Sequence, residues 1–310
     1  MGASIRETFE QAGCAGQLCV QSLDGTQEVA VEADRPVVSA SVFKVCVALE
    51  AETQFAEGRL DPRERVTLAA TTRTPGNIGF PLFRDDVDVS LQDLVVAMLT
   101  ISDNHATDAL LERIGIDAVN ASSIRLGLAG TVVAGDLRTI VNSIGRAAGF
   151  ASWDAMWAWT AGPHSPDDEQ AVVRRMMAAD ALIPERTTRT TARDMASLLR
   201  LIWSDQAAPQ RACQRVRELM GHQLTKHRLA AAFPPPARVC AKSGSLVGVV
   251  RNEIGVIEYP DGRGYAAAVF ARAHRPWQDD AAINAAIGAT AATATGMLRD
   301  EPGRADRVLP

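Results

Sequence analysis

Residues 237–270 read ARVCAKSGSLVGVVRNEIGVIEYPDGRGYAAAVF and are the most informative segment of the chain. Two apolar segments, RNEIGVIEY (251–259) and GYAAAVFARA (264–273), flank Pro260-Asp261-Gly262. A short Pro/Asp/Gly segment between two such runs is typical of a turn between antiparallel strands. The Ala-rich segment that follows, Asp279 to Leu298, has a helical pattern. The C-terminal end therefore predicts a strand, a turn, a second strand and a helix.

The N-terminal end of the chain shows the same kinds of element. QLCVQSL (17–23) and TQEVAVEA (26–33) alternate around Asp24-Gly25, which is a hairpin signal. An amphipathic, charged helix is expected before them, over residues 1–13. Because strands of this kind usually share a sheet, we expect both ends of the chain to form one antiparallel sheet with the terminal helices packed on it.

The middle of the chain, from Val42 to Trp203, is predicted to be largely helical. Ser90-Leu91-Gln92-Asp93 resembles a capping box, and apolar residues follow it at helical spacing. A Trp-rich helical stretch at 153–159 is expected to belong to the core. The predicted fold class is α+β: a discontinuous sheet domain (1–40 and 205–310) and an all-helical domain with an expanded loop region (41–204). The active site is expected in the cleft between them.

Composition narrows the classes of function. The chain of 310 residues is 47% hydrophobic and 22% charged with a net charge of -5, which is ordinary for a globular protein. Without a Lys/Arg run longer than a pair, we expect neither a nucleic-acid nor a membrane partner. The longest strongly apolar stretch, Leu94 to Ile101, is too short to cross a bilayer. No obligate protein partner is evident.

The termini and the cysteines suggest a compartment. The N-terminal segment lacks the apolar run of a signal peptide, so a cytoplasmic location is expected, although an export signal removed earlier remains an alternative. Five scattered cysteines without a CxxC pair favour a reducing compartment and predict no zinc site. Neither a metal nor an organic cofactor is expected.

Ser41-Val42-Phe43-Lys44 opens the apolar segment VFKVCVALEAE, which places Ser41 in the first turn of a predicted helix with Lys44 one turn further on the same face. A serine hydroxyl is a weak nucleophile unless a neighbouring group takes its proton. A buried lysine with a lowered pKa can act as that group. Ser41 and Lys44 are therefore a candidate nucleophile and base.

Two further motifs follow in order, Ser102-Asp103-Asn104 and Lys242-Ser243-Gly244. SxxK, SDN and a K-[ST]-G triplet together are the signature of class A β-lactamases and penicillin-binding proteins. The chain resembles this family over most of its length, since VSASVFKVCVALE, MLTISDNHATDALLERIG and residues 237–270 match its segments in character and order. The resemblance implies an acyl-transferring serine enzyme without a cofactor.

The resemblance also implies roles for individual residues. Ser41 corresponds to the acylated nucleophile, Lys44 to its proton partner, and Ser102 to the hydroxyl that relays a proton to the leaving nitrogen. Asn104 corresponds to the donor to the substrate amide. Lys242 supplies a second ammonium group, which binds a substrate carboxylate and disfavours protonation of Lys44.

The third motif implies the rest of the substrate site. Ser243 keeps the hydroxyl that would contact the carboxylate, and Gly244 completes the motif. The backbone N–H groups of Ser41 and Ser245 correspond to the oxyanion hole. Arg251 stands where some class A enzymes carry an arginine that aids carboxylate binding. A small-molecule substrate that bears a carboxylate is therefore expected.

One part of the family pattern is missing. Class A β-lactamases hydrolyse their acyl-enzyme with a water activated by the Glu of an ExxLN pattern, which this chain lacks. Counting back from Thr190-Thr191 places the Glu position at about Met176 and the Asn position at about Asp180. Three carboxylates could replace the glutamate if the loop folds differently: Glu169, Asp180 and Glu185.

The sequence thus predicts a serine hydrolase of the class A β-lactamase type that forms an acyl-enzyme on Ser41 and attacks a lactam, amide or ester carbonyl. Because an ester in a water-poor cleft needs a general base to hydrolyse quickly, rapid β-lactam hydrolysis is left open. The alternatives are an esterase or acyl transferase of metabolism and a penicillin-binding sensor that acylates without turnover.

Overall fold

The computed structural model describes residues 2–300, so residue 1 and residues 301–310 of the predicted sheet domain lie outside the described residues. The helices are α1 (Gly2–Gln11), α2 (Lys44–Ala56), α3 (Leu91–Thr100), α4 (Asn104–Ile114), α5 (Ile116–Arg125), α6 (Leu137–Ala147), α7 (Trp153–Thr160), α8 (Pro166–Met177), α9 (Ala192–Trp203), α10 (Gln210–Gly221), α11 (Leu229–Ala232) and α12 (Asp280–Asp300). The strands are β1 (Cys14–Ser22), β2 (Glu28–Val31), β3 (Val37–Val38), β4 (Arg65–Leu68), β5 (Val87–Ser90), β6 (Arg189–Thr190), β7 (Arg238–Leu246), β8 (Val250–Glu258) and β9 (Gly264–Ala273).

Five strands from the two ends of the chain form one antiparallel sheet in the order β2-β1-β9-β8-β7. Both predicted hairpins are present, β1–β2 around Asp24-Gly25 and β8–β9 around residues 260–262. The two ends meet where β1 pairs with β9, with Leu18 opposite Val269. The predicted α+β class is therefore confirmed, while the boundaries of the two domains stay a prediction.

Helices cover both faces of this sheet. On β1, Leu18 and Val20 pack in a core with α1 and α12, whereas Cys19 between them belongs to the core that includes α2 and α9. Successive side chains of a strand point to opposite faces, which explains the alternation. Among the described residues, α12 is the one helix long and apolar enough by length and composition to cross a bilayer. Half of its apolar window is buried in the protein, as in a core helix.

The region predicted to be helical also contains short strands. Among the described residues, β4 pairs with β5, and β6 pairs with β3, which immediately precedes this region. These strands have two to four residues, too few for a periodic pattern to separate them from loops. Helix α3 begins as predicted, because the Ser90 side chain accepts a hydrogen bond from the Asp93 N–H.

Helices α6, α7 and α8 form a small core of their own. Each contributes a buried residue: Ile144, Met156 and Met176. Trp153 and Trp159 are partly buried against this core, as expected, whereas Trp157 is 63% exposed and stacks on Trp153. The expectation of a wholly buried Trp stretch is wrong for Trp157, because α7 lies at the surface and only one of its faces meets α6.

Candidate active site

Ser41 lies in a short 3₁₀ turn, Ala40–Phe43, that leads directly into α2. Ala40 has a φ of 44°, a conformation that a residue with a Cβ keeps only when its surroundings enforce it. The Asn252 side chain of β8 holds this turn, because its Nδ2 donates at 3.0 Å to the carbonyls of both residues before Ala40. The sheet thus fixes the turn that presents Ser41.

Strand β7 approaches the Ser41 turn at Gly244. A Cβ on Gly244 would lie 2.9 Å from the Ser41 backbone nitrogen and 3.2 Å from the Ala40 Cβ, so a larger residue would displace the turn. This close approach brings the backbone of Ser245 beside that of Ser41, the two residues predicted to form an oxyanion hole. It also explains why the third residue of this motif is glycine.

Ser102 connects the two lysines of the site. Its Oγ lies 3.3 Å from Lys44 Nζ and 3.0 Å from Lys242 Nζ. Lys44 also donates to the Ser102 carbonyl at 2.7 Å and to the Asn104 Oδ1 at 2.9 Å, and Lys242 donates to its neighbour's carbonyl at 2.7 Å. Ser102 has a φ of 62°. The structure therefore brings the three predicted motifs together in one hydrogen-bonded cluster.

The charge state of this cluster follows from its burial. Both lysines are fully buried. Burial lowers the pKa of Lys44 to about 7, although Asp103 and Asp108 oppose this effect. Burial, and then the charge of Lys44, lower the pKa of Lys242 well below its usual value. Lys44 can therefore accept a proton at neutral pH, and a bound carboxylate would favour the protonated form of Lys242.

The second motif also positions Asn104. Asp103 caps α4 by accepting a hydrogen bond from the Ala106 N–H at 2.9 Å, and its other oxygen accepts from the Phe80 N–H at 2.6 Å. The Asn104 amide nitrogen donates to the Pro75 carbonyl at 2.9 Å. Asn104 lines the space beside Ser41, as the sequence predicted for a substrate contact.

The predicted carboxylate-binding edge contains a residue that the sequence did not indicate. Arg228 is buried and donates to the Ser245 Oγ at 2.8 Å, the Gly244 carbonyl at 3.1 Å and the Asn252 carbonyl at 2.6 Å. Burial lowers its pKa to about 10, so it remains charged at neutral pH. No sequence motif surrounds Arg228, so only its position in the fold reveals that it holds the ends of β7 and β8.

Arg251 is held differently from Arg228. Its guanidinium donates to Asp280 at 2.6 Å and to the Val250 carbonyl at 3.0 Å, and the residue is almost completely buried. Arg251 does not line the space beside Ser41, whereas Ser245 does. A substrate carboxylate would compete with Asp280 for Arg251.

A buried polar pair supports the third motif from behind. Gln223 accepts a hydrogen bond from the Ser243 N–H and donates to Glu253 at 3.0 Å. Glu253 also accepts from the Leu229 N–H at 2.6 Å, and burial raises the pKa of its carboxyl group. Ser243 faces Glu253 across the β7–β8 pair. These contacts fix the strand that carries Lys242.

The space beside Ser41 is small and has an apolar wall. Its volume is about 70 Å³, and no carboxylate of the described residues lines it. Leu137, Ile140 and Val141 of α6 form one side, and Thr187 and Thr188 form another. Apolar side chains of α6 therefore form this wall of the space.

The sequence alignment by counting back was misplaced. Met176 lies in the core of α6, α7 and α8 and does not line the space beside Ser41. Leu137, Ile140 and Val141 do line it, and residues 138–142 (RTIVN) keep the spacing of ExxLN with Arg138 in the place of the glutamate. Arg138 lines a separate cavity of about 610 Å³ and donates to the Thr72 carbonyl. The final asparagine of ExxLN, matched by Asn142, could have located this segment.

The three carboxylates proposed as replacements lie elsewhere. Glu169 is exposed and forms an ion pair with His164 at 2.8 Å. Asp180 is exposed and forms an ion pair with Arg186 at 2.8 Å. Glu185 is exposed in the following turn. None of the three lines the space beside Ser41, so the structure does not bring them to the nucleophile.

Comparison with known proteins identifies relatives over the whole chain. Residues 2–296 match the Beta-lactamase enzyme family. The chain is 27% identical over 309 residues to the β-lactamase regulatory protein BlaB of Streptomyces cacaoi, with 96% of each chain covered.

Solved structures share the fold. A β-lactamase from Sphaerobacter thermophilus is 22% identical, with a TM-score of 0.74 over 96% of this chain and 97% of that one. PBP-A is 20% identical, with a TM-score of 0.75 over 97% and 96%. An ancestral class A β-lactamase is 19% identical, with a TM-score of 0.74 over 96% and 99%. The β-lactamase-like fold implied by the sequence is confirmed.

Proposed function

Since the chain belongs to the β-lactamase enzyme family, we propose that Ser41 attacks a lactam, amide or ester carbonyl of a small molecule that bears a carboxylate. The observation that carries this proposal is the Ser102 hydroxyl, which joins the buried side-chain nitrogens of Lys44 and Lys242 next to the Ser41 turn. A serine flanked by a lysine of lowered pKa can be activated at neutral pH.

The acylation step follows from this arrangement. Neutral Lys44 takes the proton of the Ser41 hydroxyl while Oγ forms a bond to the carbonyl carbon. The backbone N–H groups of Ser41 and Ser245 stabilise the negative charge that develops on the carbonyl oxygen. The bond from carbon to the leaving nitrogen then breaks, and Lys44 passes the proton that it took from Ser41 through the Ser102 hydroxyl to that nitrogen, which returns Lys44 to its neutral form. The product is an ester on Ser41.

We further propose that this ester is long-lived. Hydrolysis needs a water that loses a proton as it attacks the ester carbon, and a positioned base accelerates this step by about 10²–10⁴-fold. The side chains of α6 that line the space beside Ser41 are apolar, and Arg138 lies in another cavity. The regulatory role of the relative from Streptomyces cacaoi supports a sensor that acylates once over a β-lactamase.

The intact mass of the protein during incubation with a simple penicillin tests both halves of the proposal. We expect a mass increase of one penicillin per chain that persists, with little loss of penicillin beyond one equivalent. Ser41→Ala should give no adduct, while Ser204→Ala, a serine at the end of α9, should behave like the unmodified protein.

Other outcomes would contradict the proposal in distinct ways. Continued penicillin loss with a transient adduct would mean that the protein is a β-lactamase and that the proposal of a long-lived ester is wrong. An adduct on Ser41→Ala would exclude Ser41 as the nucleophile. No adduct with penicillins or with small esters and amides would exclude the acylation chemistry.

A further inference from the structure

We propose that the Ser41 site selects substrates whose acyl side carries a small, uncharged, apolar group, because α6 forms an apolar wall of the small space beside Ser41. This inference rests on the proposed acylation of Ser41 and adds the class of substrate. It is carried by the size of that space, its lining and the way α6 is held.

The available volume is the first argument. Pockets that take a drug-sized ligand have volumes of about 300–1,000 Å³. The space beside Ser41 measures about 70 Å³, well below that range, so its walls surround only a few heavy atoms. A bulkier acyl group would have to extend beyond these walls or displace α6.

The lining is the second argument. Leu137 and Val141 are buried, and Ile140 is partly buried, so the α6 side of the space is hydrocarbon. A charged group placed against this side would lose its hydration without gaining an ion-pair partner. An apolar group would instead bury its surface there, at about 25 cal/mol per Å².

The anchoring of α6 is the third argument. At its start, the Asp108 carboxylate of α4 accepts hydrogen bonds from the Leu137 N–H at 2.7 Å and the Arg138 N–H at 2.9 Å. Further along, the Asn142 Oδ1 accepts from the Trp153 N–H at 3.0 Å. Gly145 packs so closely that a Cβ there would lie 2.4 Å from the backbone of Ser152. Displacing α6 would therefore break contacts at both ends of the wall.

The rate of acylation with three amides of 6-aminopenicillanic acid tests the inference. The propionyl and glycyl derivatives have the same number of heavy atoms and differ in charge, and the phenylacetyl derivative is larger. With the full chain, we expect the propionyl derivative to acylate Ser41 at least about tenfold faster than either of the other two. Intact mass against time gives the three rates.

A variant that shortens the wall provides the second arm. Ile140→Ala should raise the rate for the phenylacetyl derivative relative to that for the propionyl derivative by about tenfold. Ile124→Ala, which truncates an isoleucine that is 75% exposed on α5, is the matched control and should change neither rate. Val141→Ala replaces Ile140→Ala if thermal melting shows that the latter does not fold.

The outcomes separate this inference from the proposed function. Equal rates for the propionyl and phenylacetyl derivatives would overturn the selection for size, and equal rates for the propionyl and glycyl derivatives would overturn the selection against charge. An unchanged ratio of the phenylacetyl rate to the propionyl rate in both wall variants would show that α6 is not the selective element. No adduct from any of the three would contradict the acylation of Ser41 itself.

Discussion

At the scale of single residues, the proposed acylation depends on the proton of Lys44. Its Nζ is surrounded by the carbonyls of Ser102 and Asp103 and by the Asn104 Oδ1, which keep the amine in place in either protonation state. Burial is the main reason that its pKa falls to about 7. Only the neutral amine can take the proton of Ser41. Hydrogen bonds therefore fix the position of the Lys44 amine, and burial makes its neutral form available at neutral pH.

We predict that the rate of acylation rises with pH up to about 7 and levels off above it. Below the pKa of Lys44, the neutral fraction falls about tenfold for each pH unit, and the rate should fall with it. Intact mass against time between pH 5 and pH 9 measures this profile, with circular dichroism to show that the fold persists. Lys44→Arg, which stays protonated throughout this range, should give no adduct. A rate that does not change between pH 5 and pH 7 would contradict the role of Lys44.

At the scale of elements, α6 is the helix on which the proposed lifetime of the acyl-enzyme depends. Its N-terminal turn presents Leu137 toward the space beside Ser41 and Arg138 toward the cavity of about 610 Å³. Consecutive residues of a helix lie about 100° apart, so one turn cannot direct both side chains to the same cavity. A general base near Ser41 would therefore need a carboxylate at an α6 position that faces Ser41. A carboxylate at position 138 would face the other cavity.

We predict that Leu137→Glu releases the acyl group from Ser41 at least about tenfold faster than the unmodified protein, because the new carboxylate can activate a water. Leu137→Gln is the matched control, since it has the same size and polarity without a base, and its adduct should persist. The decay of the adduct after removal of free penicillin measures both lifetimes. Equally fast release from the two variants would attribute the stability of the adduct to the dry wall alone.

At the scale of the whole molecule, the sheet and the helical region both contribute residues to the candidate site. The helical region supplies Lys44 and Ser102, and the sheet supplies Lys242. Asn252 of β8 connects the sheet to the Ser41 turn through its two hydrogen bonds. Stability of the molecule and geometry of the nucleophile are therefore coupled at this residue.

We predict that Asn252→Ala lowers the free energy of unfolding by about 2–6 kcal/mol, since two buried carbonyls lose their donor at about 1–3 kcal/mol each. It should also slow acylation by at least about tenfold, because the strained turn at Ala40 loses its support. Urea unfolding and intact mass against time measure the two effects.

The matched control for Asn252→Ala is Asn120→Ala. Asn120 makes two hydrogen bonds with the backbone of Val133, at 2.8 and 3.0 Å, and lies outside the candidate site. Asn120→Ala should lower the free energy of unfolding. It should not slow acylation under conditions in which both variants are folded. Equal slowing in the two variants would mean that Asn252 acts only through stability.

The sequence by itself determined the local elements and the chemical identity of the cluster. Asp24-Gly25 and residues 260–262 specify hairpins because turns depend on a few neighbouring residues. Ser90 specifies the start of α3 for the same reason. The three short motifs indicated Ser41, Ser102 and Lys242, since each motif lies on one local segment. The motifs do not contain the distances between these three residues in space.

Only the tertiary structure decided which residues surround that cluster. Arg228 is a lone arginine in the sequence, and its contacts with Gly244 and Asn252 exist only because β7 and β8 pair beside it. Helices α7 and α8 lie between α6 and Thr190, so a count back from Thr190 reaches Met176 and not the α6 residues that line the space beside Ser41. Contacts between distant segments depend on packing and loop length, and neither is encoded in the spacing of a local motif.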